Sequence, residues 1–144
     1  MRGYFAVGIY HPKREVNVGT LWRSAFQLGA SYVFTIGRRY SKQSSDTTTS
    51  YRHMPLFNFP DWTDFQSHMP YDCRLIGVEM GGSQISNFVH PERCIYLLGA
   101  EDYGLPQEIL DKCCYTVSLP AVRTPSYNVA VAGSIVMFDR NQKQ

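Results

Sequence analysis

Three short stretches of the chain carry side chains that can handle a hydroxyl, a phosphate or an amine. "HPKREVNVG" ends in Asn17 and Gly19, with Arg23 one turn further on. "GAEDYGLP" sets Glu101, an acceptor for hydroxyls or an amine, between Gly99 and Gly104, and glycines let backbone approach a ligand closely. "LPAVRTPSYN" brings Ser126 and Asn128 to the front of an apolar segment. Each stretch also has an ordinary structural explanation: Asn17 and Ser126 as helix caps, Gly99 and Gly104 as turn glycines, Arg23 as a surface cation paired with Glu15. That explanation weakens when all three occur together, because each follows a run that reads as a strand.

Those runs are "YFAVGIY" (Tyr4 to Tyr10), "SYVFTIG" (Ser31 to Gly37), "CRLIGVEM" (Cys73 to Met80), "CIYLLGAE" (Cys94 to Glu101) and "CYTVSLP" (Cys114 to Pro120). They are short, apolar and closed by turn residues, as strands buried on both faces are. Between the first two, Val18, Leu21, Trp22, Ala25 and Leu28 recur at helical spacing and Gly29 supplies a stop, which makes one βαβ unit. "LPQEILDK" (Leu105 to Lys112) reads as a helix with Pro106 at its first position, and "SYNVAVAGSIVMFDR" (Ser126 to Arg140) as a buried helix with Ser126 as N-cap. Alternating strands and helices predict an α/β fold around a mostly parallel sheet. In such sheets ligands bind beyond the carboxyl ends of the strands, where the three polar loops fall.

The polar stretch Ser41 to Ser50 reads as an exposed loop, and no internal repeat is visible. At 144 residues the chain is expected to form a single domain, soluble and cytoplasmic, with no membrane span and no signal pattern. Cys73, Cys94, Cys113 and Cys114 lack C-x-x-C spacing and read as reduced, partly buried thiols rather than metal ligands. A net charge of +2 leaves room only for a local basic patch, not a strongly basic nucleic-acid footprint. The absence of G-x-G-x-x-G, G-x-x-x-x-G-K, G-x-S-x-G and H-E-x-x-H disfavours dinucleotide dehydrogenases, P-loop hydrolases, α/β-hydrolases and zincins. The scattered histidines His11, His53, His68 and His90 read as solvated loop residues.

In order and separation, "NVGTLWRSA", "YLLGAEDYGLP" and "VSLPAVRTPSYNVAVAGSIVMFD" resemble the three motifs of the SpoU/TrmH family of the SPOUT superfamily, over about residues 5 to 140. The resemblance implies an α/β domain whose C-terminal segment is threaded into a deep trefoil knot, a rare exception to the no-knot rule. It implies a homodimer formed through that region, S-adenosylmethionine as methyl donor, no metal, and methylation of ribose 2′-hydroxyls of transfer or ribosomal RNA. Carried over residue by residue, Asn17 and Arg23 serve the ribose and phosphate side and Glu101 lines the catalytic pocket. Ser126 and Asn128 form the polar pair of the third motif. Leu98, Gly99, Glu101, Gly104, Tyr127 and Asn128 shape the donor site, with backbone at Val117 and Leu119 holding adenine and ribose. A guanidinium is a poor proton acceptor, so Arg23 is expected to fix a phosphate while the proton leaves through that phosphate, Glu101 or water.

Two departures from the family pattern bear on substrate choice: Tyr127 stands where Leu is common, and Ala100 to Asp102 replace an Asn-Glu-Gly flavour. With no appended RNA-binding domain expected, RNA contact would fall to Lys13, Arg14, Arg38, Arg39, Lys42 and Arg52, interleaved with Tyr40 and Tyr51 as a stacking-capable patch. The compact form resembles enzymes of the transfer-RNA wobble position, which favours transfer RNA over ribosomal RNA. The alternative is a catalytically inactive, knotted RNA-binding homologue.

Overall fold

The computed structural model describes residues 3–38, 53–101 and 103–144. Six strands form one sheet in the order β3-β2-β1-β5-β4-β6, and every pairing between neighbours is parallel. Along the chain run β1 (Tyr4–Tyr10), α1 (Glu15–Leu28), β2 (Val33–Ile36), β3 (Leu56–Phe59), α2 (Trp62–Ser67), β4 (Arg74–Gln84), β5 (Arg93–Leu98), α3 (Gln107–Leu110), β6 (Tyr115–Ser118) and α4 (Val129–Gln142). The mostly parallel sheet flanked by helices is the fold class read from the sequence. The stretch from Ser41 to Ser50 lies outside the described residues.

Both faces of the sheet are covered, which is why its central strands are apolar throughout. In β5, Cys94, Tyr96 and Leu98 face one side, where Val18, Leu21 and Trp22 of α1 and Val136 and Met137 of α4 pack. The alternate residues Ile95 and Leu97 face the other side, against Phe34, Phe65 of α2 and Ile109 of α3. The two helices on the first face approach closely at Gly133, where a Cβ would sit 2.5 Å from Leu21 Cδ1. Beside it Ser134 Oγ donates to Ser24 Oγ at 2.9 Å.

Several boundaries differ from the sequence reading. β3 and α2 were not expected: "LFNF" is four residues long and flanked by Pro55 and Pro60. α2 is a short helix whose N-cap, Asp61, accepts from Asp64 N at 2.8 Å. α1 starts at Glu15, so Asn17 is inside the helix and not its cap. Gly29 does end it, at φ 93°, with Ala30 N donating to Ala25 O at 2.9 Å. Pro106 is the N-cap of α3 rather than its first residue. α4 is capped by Asn128, not Ser126: the Asn128 side chain accepts from Ala130 N and Val131 N. β4 runs past Met80 to Gln84 because residues 79–82 leave the register, with Val78 and Ser83 both facing Val117. The cysteines are free, and burial pushes the Cys94 and Cys113 thiols up to about 11, so both stay protonated. Cys114, expected to be partly buried, is exposed.

A buried polar network anchors the far end of α4. Arg140 is fully buried. It donates to Pro91 O at 2.7 Å, Glu92 O at 2.9 Å and Tyr96 Oη at 3.2 Å, and its guanidinium lies 4.9 Å from the Phe5 ring centroid. Tyr96 Oη in turn meets His90 Nδ1 at 2.7 Å, and His90 Nε2 meets Asp139 Oδ2 at 2.7 Å. One donor and one acceptor on the imidazole are what the neutral ring offers. His90, expected to be solvated, is therefore a structural residue. Burial, ahead of the opposing pull of Asp139, holds it below its ordinary value of 6.5. Burial also works against the charge of Asp139, but hydrogen bonds from His90 and Lys143 outweigh it and hold that carboxyl below the usual range.

Two outcomes follow for stability. Arg140→Met strips the donor from two carbonyls and Tyr96 at once, and is expected to cost about 2–4 kcal/mol in denaturant unfolding. Because the folded value of His90 lies below the unfolded one, the unfolded chain takes up the proton first on acidification. Stability should thus fall as pH drops below 6.5. In unfolding curves taken between pH 7.5 and 5 (a range of roughly that span brackets the transition), His90→Gln should flatten that slope.

Candidate active site

In an open parallel sheet the crevice opens where neighbouring strands send their chains to opposite sides. Here that point lies between β1 and β5, central neighbours in the sheet order. The loops leaving their carboxyl ends meet there, and the loop after β6 joins them. A line of hydrogen bonds ties the three together. Asn128 Nδ2 donates to Asn17 Oδ1 at 3.1 Å, and Asn17 Nδ2 donates to Glu101 Oε1 at 2.8 Å. The other carboxylate oxygen accepts from Lys13 N at 3.1 Å.

The orientation of both amides follows from chemistry. Asn128 Oδ1 faces the backbone N–H groups of Ala130 and Val131 at 2.9 and 3.2 Å, so only its NH2 is left for Asn17. Asn17 must then meet it with oxygen and turn its own NH2 to Glu101, which has to be an acceptor at both oxygens. Asn17 is buried at 7% exposure, and Glu101 is half-buried. The loop that carries Glu101 is a tight turn: Gly104 N donates to Ala100 O at 2.9 Å, and Gly104 has φ 66°. A Cβ on Gly99 would lie 2.3 Å from the carbonyl carbon of Gly104, so the turn closes only with glycine there.

Beside Glu101 lies a cavity of about 220 Å³, lined by the irregular middle of β4, the ends of β5 and β6, the Gly99–Gly104 turn and the start of α4. Of the residues expected at a donor site, Leu98, Gly99, Glu101, Gly104, Leu119 and Tyr127 line it, and so does Ser126 of the third motif's polar pair. Val117 does not: it is fully buried in the core beneath, its backbone taken up by pairing with β4. Asn128, also expected there, does not line it, and neither does Asn17; the two are tied by hydrogen bonds to Glu101, which does. Tyr127 has a second contact, since its hydroxyl donates to Pro120 O and closes the loop between β6 and α4 on itself.

Arg23 is not brought to the cavity. It is exposed on α1, and Glu15 lies eight residues away along the same helix, about 12 Å at 1.5 Å per residue, too far for the expected pairing. Lys13 and Arg14 are exposed at the start of α1. Arg38 is exposed too, but its guanidinium donates to Lys13 O and to Pro12 O. It thereby braces the loop whose Lys13 N–H meets Glu101. Arg39, Lys42 and Arg52 lie outside the described residues.

One lining residue escaped the sequence reading. Glu79 leaves the register of β4 and turns its carboxylate to the Gly104 turn, where Oε2 accepts from Leu105 N at 2.8 Å and Oε1 from Met80 N at 3.0 Å. Its signal was the pair Gly81-Gly82 directly after the run from Cys73 to Met80, since glycines in a strand usually mark an irregularity. At Gly82 a Cβ would lie 2.5 Å from Thr116 O. Among the described residues no group of His, Cys, Asp and Glu is placed to hold a metal ion, and no helix is long and apolar enough to cross a membrane.

The model of the SpoU rRNA methylase family matches residues 4–138. Among solved structures, an AdoMet-bound rRNA methyltransferase from Sinorhizobium meliloti has a TM-score of 0.86 at 23% identity, over 99% of this chain and 57% of that one. The SpoU methyltransferase AviRb from Streptomyces viridochromogenes gives 0.83 at 23%, over 99% and 60%. A structure on the 2-OH methylation of C/U34 on tRNA gives 0.85 at 22%, over 99% and 92%. The chain thus spans less than two thirds of the first two and nearly all of the third, and each likeness is one of fold. No curated protein sequence matches the chain.

Asn17→Asp tests the polarity of the amide line. The change puts a second carboxylate oxygen 2.8 Å from Glu101 Oε1 in place of a donor. Relative to the unaltered protein, the variant should lose about 1–3 kcal/mol of stability at alkaline pH, and less on acidification, where one proton can bridge the two carboxylates. Denaturant unfolding of both proteins at each pH reads the difference.

Proposed function

The chain belongs to the SpoU rRNA methylase family, and from that premise we propose that it transfers a methyl group from S-adenosylmethionine to a ribose 2′-hydroxyl of RNA. The observation that carries the reading is the Asn128–Asn17–Glu101 line at the β1/β5 crevice, ending beside the cavity. The cavity fits the donor in kind. It offers strand-end backbone and the Leu98 and Leu119 side chains to an adenosine, and two carboxylates to a cation.

When bound, the donor supplies a sulfonium methyl that is already a good electrophile. What the chain must add is an in-line ribose oxygen and a way out for its proton. Glu101 accepts one hydrogen bond at each oxygen and keeps further lone pairs for the 2′-hydroxyl proton. Asn17 holds that carboxylate in place and Asn128 holds Asn17. Ser126, at the cavity wall, orients the ribose. Arg23, with Lys13 and Arg14, serves RNA phosphates from outside the cavity, where a guanidinium acts as a clamp rather than a base.

Transfer RNA is the favoured substrate. In support, the fold matches that of a structure concerned with the 2-OH methylation of C/U34 on tRNA at a TM-score of 0.85. The same reading includes one domain over residues 1–144, a trefoil knot where the segment after β6 passes to α4, a homodimer through that region, and a cytoplasmic location. Exposed apolar side chains along α4, Val131 and Phe138, suit such an interface.

The experiment is calorimetric titration with S-adenosylmethionine, followed by transfer of a labelled methyl group to bulk transfer RNA and to ribosomal RNA. A 2′-O-methyl group blocks alkaline cleavage, so label should survive alkali in dinucleotides, from transfer RNA above ribosomal RNA. Label released in mononucleotides would overturn the ribose assignment, and RNA binding without donor binding would mark an inactive homologue. Glu101→Gln should lower transfer by about 100-fold or more, with a far smaller loss of donor affinity.

A further inference from the structure

Among the described residues that line the cavity, Glu79 and Glu101 are the charged side chains, and no lysine, arginine or histidine lines it. The partners of both carboxylates are uncharged. Glu79 accepts from the backbone of Met80 and Leu105, and Glu101 from the Asn17 amide and the backbone of Lys13. Backbone and amide donors satisfy oxygen lone pairs but do not cancel a formal charge, so the wall of a half-enclosed cavity carries two negative charges.

Glu79 is placed there by specific features of the chain. Residues 79–82 leave the β4 register, and Gly104 leaves room for the carboxylate, since a Cβ on Gly104 would lie 2.2 Å from Glu79 Oε2. A side chain needed only to hold the turn would not have to be ionised. A neutral acceptor would satisfy Leu105 N equally well.

We propose that Glu79 is a charge-selective residue of the donor cavity, which favours the cationic methyl donor over its neutral product. This rests on the donor reading above. S-adenosylmethionine carries a sulfonium, an ammonium and a carboxylate. Once the methyl group leaves, S-adenosylhomocysteine keeps only the last two. The two molecules are nearly the same shape, so a carboxylate wall separates them by charge, and it holds the product of each turnover less tightly than the donor.

The test is calorimetric titration with three ligands: S-adenosylmethionine, S-adenosylhomocysteine and sinefungin, whose added ammonium keeps the positive charge without a methyl to transfer. The unaltered protein should bind both cationic ligands about tenfold more tightly than the neutral one. In Glu79→Gln that ratio should shrink to within about threefold, whereas Glu79→Asp, which keeps the charge, should weaken all three ligands and leave the ratio intact. An equal loss for all three ligands in Glu79→Gln would reduce Glu79 to a brace for the Gly104 turn and overturn the proposal. So would near-equal binding of the three ligands by the unaltered protein, a result that depends on no variant folding. Failure of the unaltered protein to bind any of them would instead bring down the donor reading itself.

Discussion

The site depends on the fixed polarity of two amides. An asparagine offers an acceptor at one end and donors at the other, and a helix N-terminus presents only donors. Once Asn128 spends its oxygen on the first turn of α4, every later contact is determined: NH2 to Asn17 oxygen, and Asn17 NH2 to the Glu101 carboxylate. The partial positive charge at the start of α4 is thereby aligned, through two neutral groups, with a carboxylate at the crevice. Three loops that have little else in common are held in one arrangement by groups that cannot be turned around.

That arrangement needs α4 to be held in place along its length. At one end it is fixed by Asn128, in the middle by the Gly133 notch against Leu21 and Leu98, and near its C-terminus by Arg140 beneath Pro91 and Glu92. The Arg140 network takes a cationic side chain into the interior and meets it with carbonyl dipoles, a tyrosine hydroxyl and an aromatic face. Such a network tolerates little displacement, because a shifted guanidinium leaves several buried acceptors without donors at once.

The sequence makes the sheet and the crevice legible because their signals are local. Apolar runs closed by glycine or proline mark β1 and β5, helical spacing marks α1, and Gly29 marks its end. What escaped is what non-local packing decides. Ser126 and Asn128 are equally good caps by type. Asn128 wins because Asn17, far off in sequence, waits for its NH2, while Tyr127 ties the preceding loop to Pro120. Arg140 reads as a polar residue in a last helical turn until the Pro91 and Glu92 carbonyls are placed over it. Arg23 belongs to the motif by spacing, yet it projects to solvent on α1. Glu79 reads as one more strand residue, and only the break in register turns it to the cavity. β3 and α2 were too short, and too closely bounded by prolines, to stand out from turns.

The Asn17–Asn128 hydrogen bond joins residues 111 positions apart, and this sets when the crevice can exist during synthesis. A nascent chain that has emerged as far as β6 already contains Asn17, Glu101 and the strands, but the apolar face later covered by α4, with Val7, Tyr96 and Leu98, has nothing to cover it. Ordering of the loops therefore waits on the arrival of the last helix, the costly long-range closure coming at the end. Until then the ribosome holds a sheet that α1 covers only in part on one side, the kind of intermediate on which chaperones act.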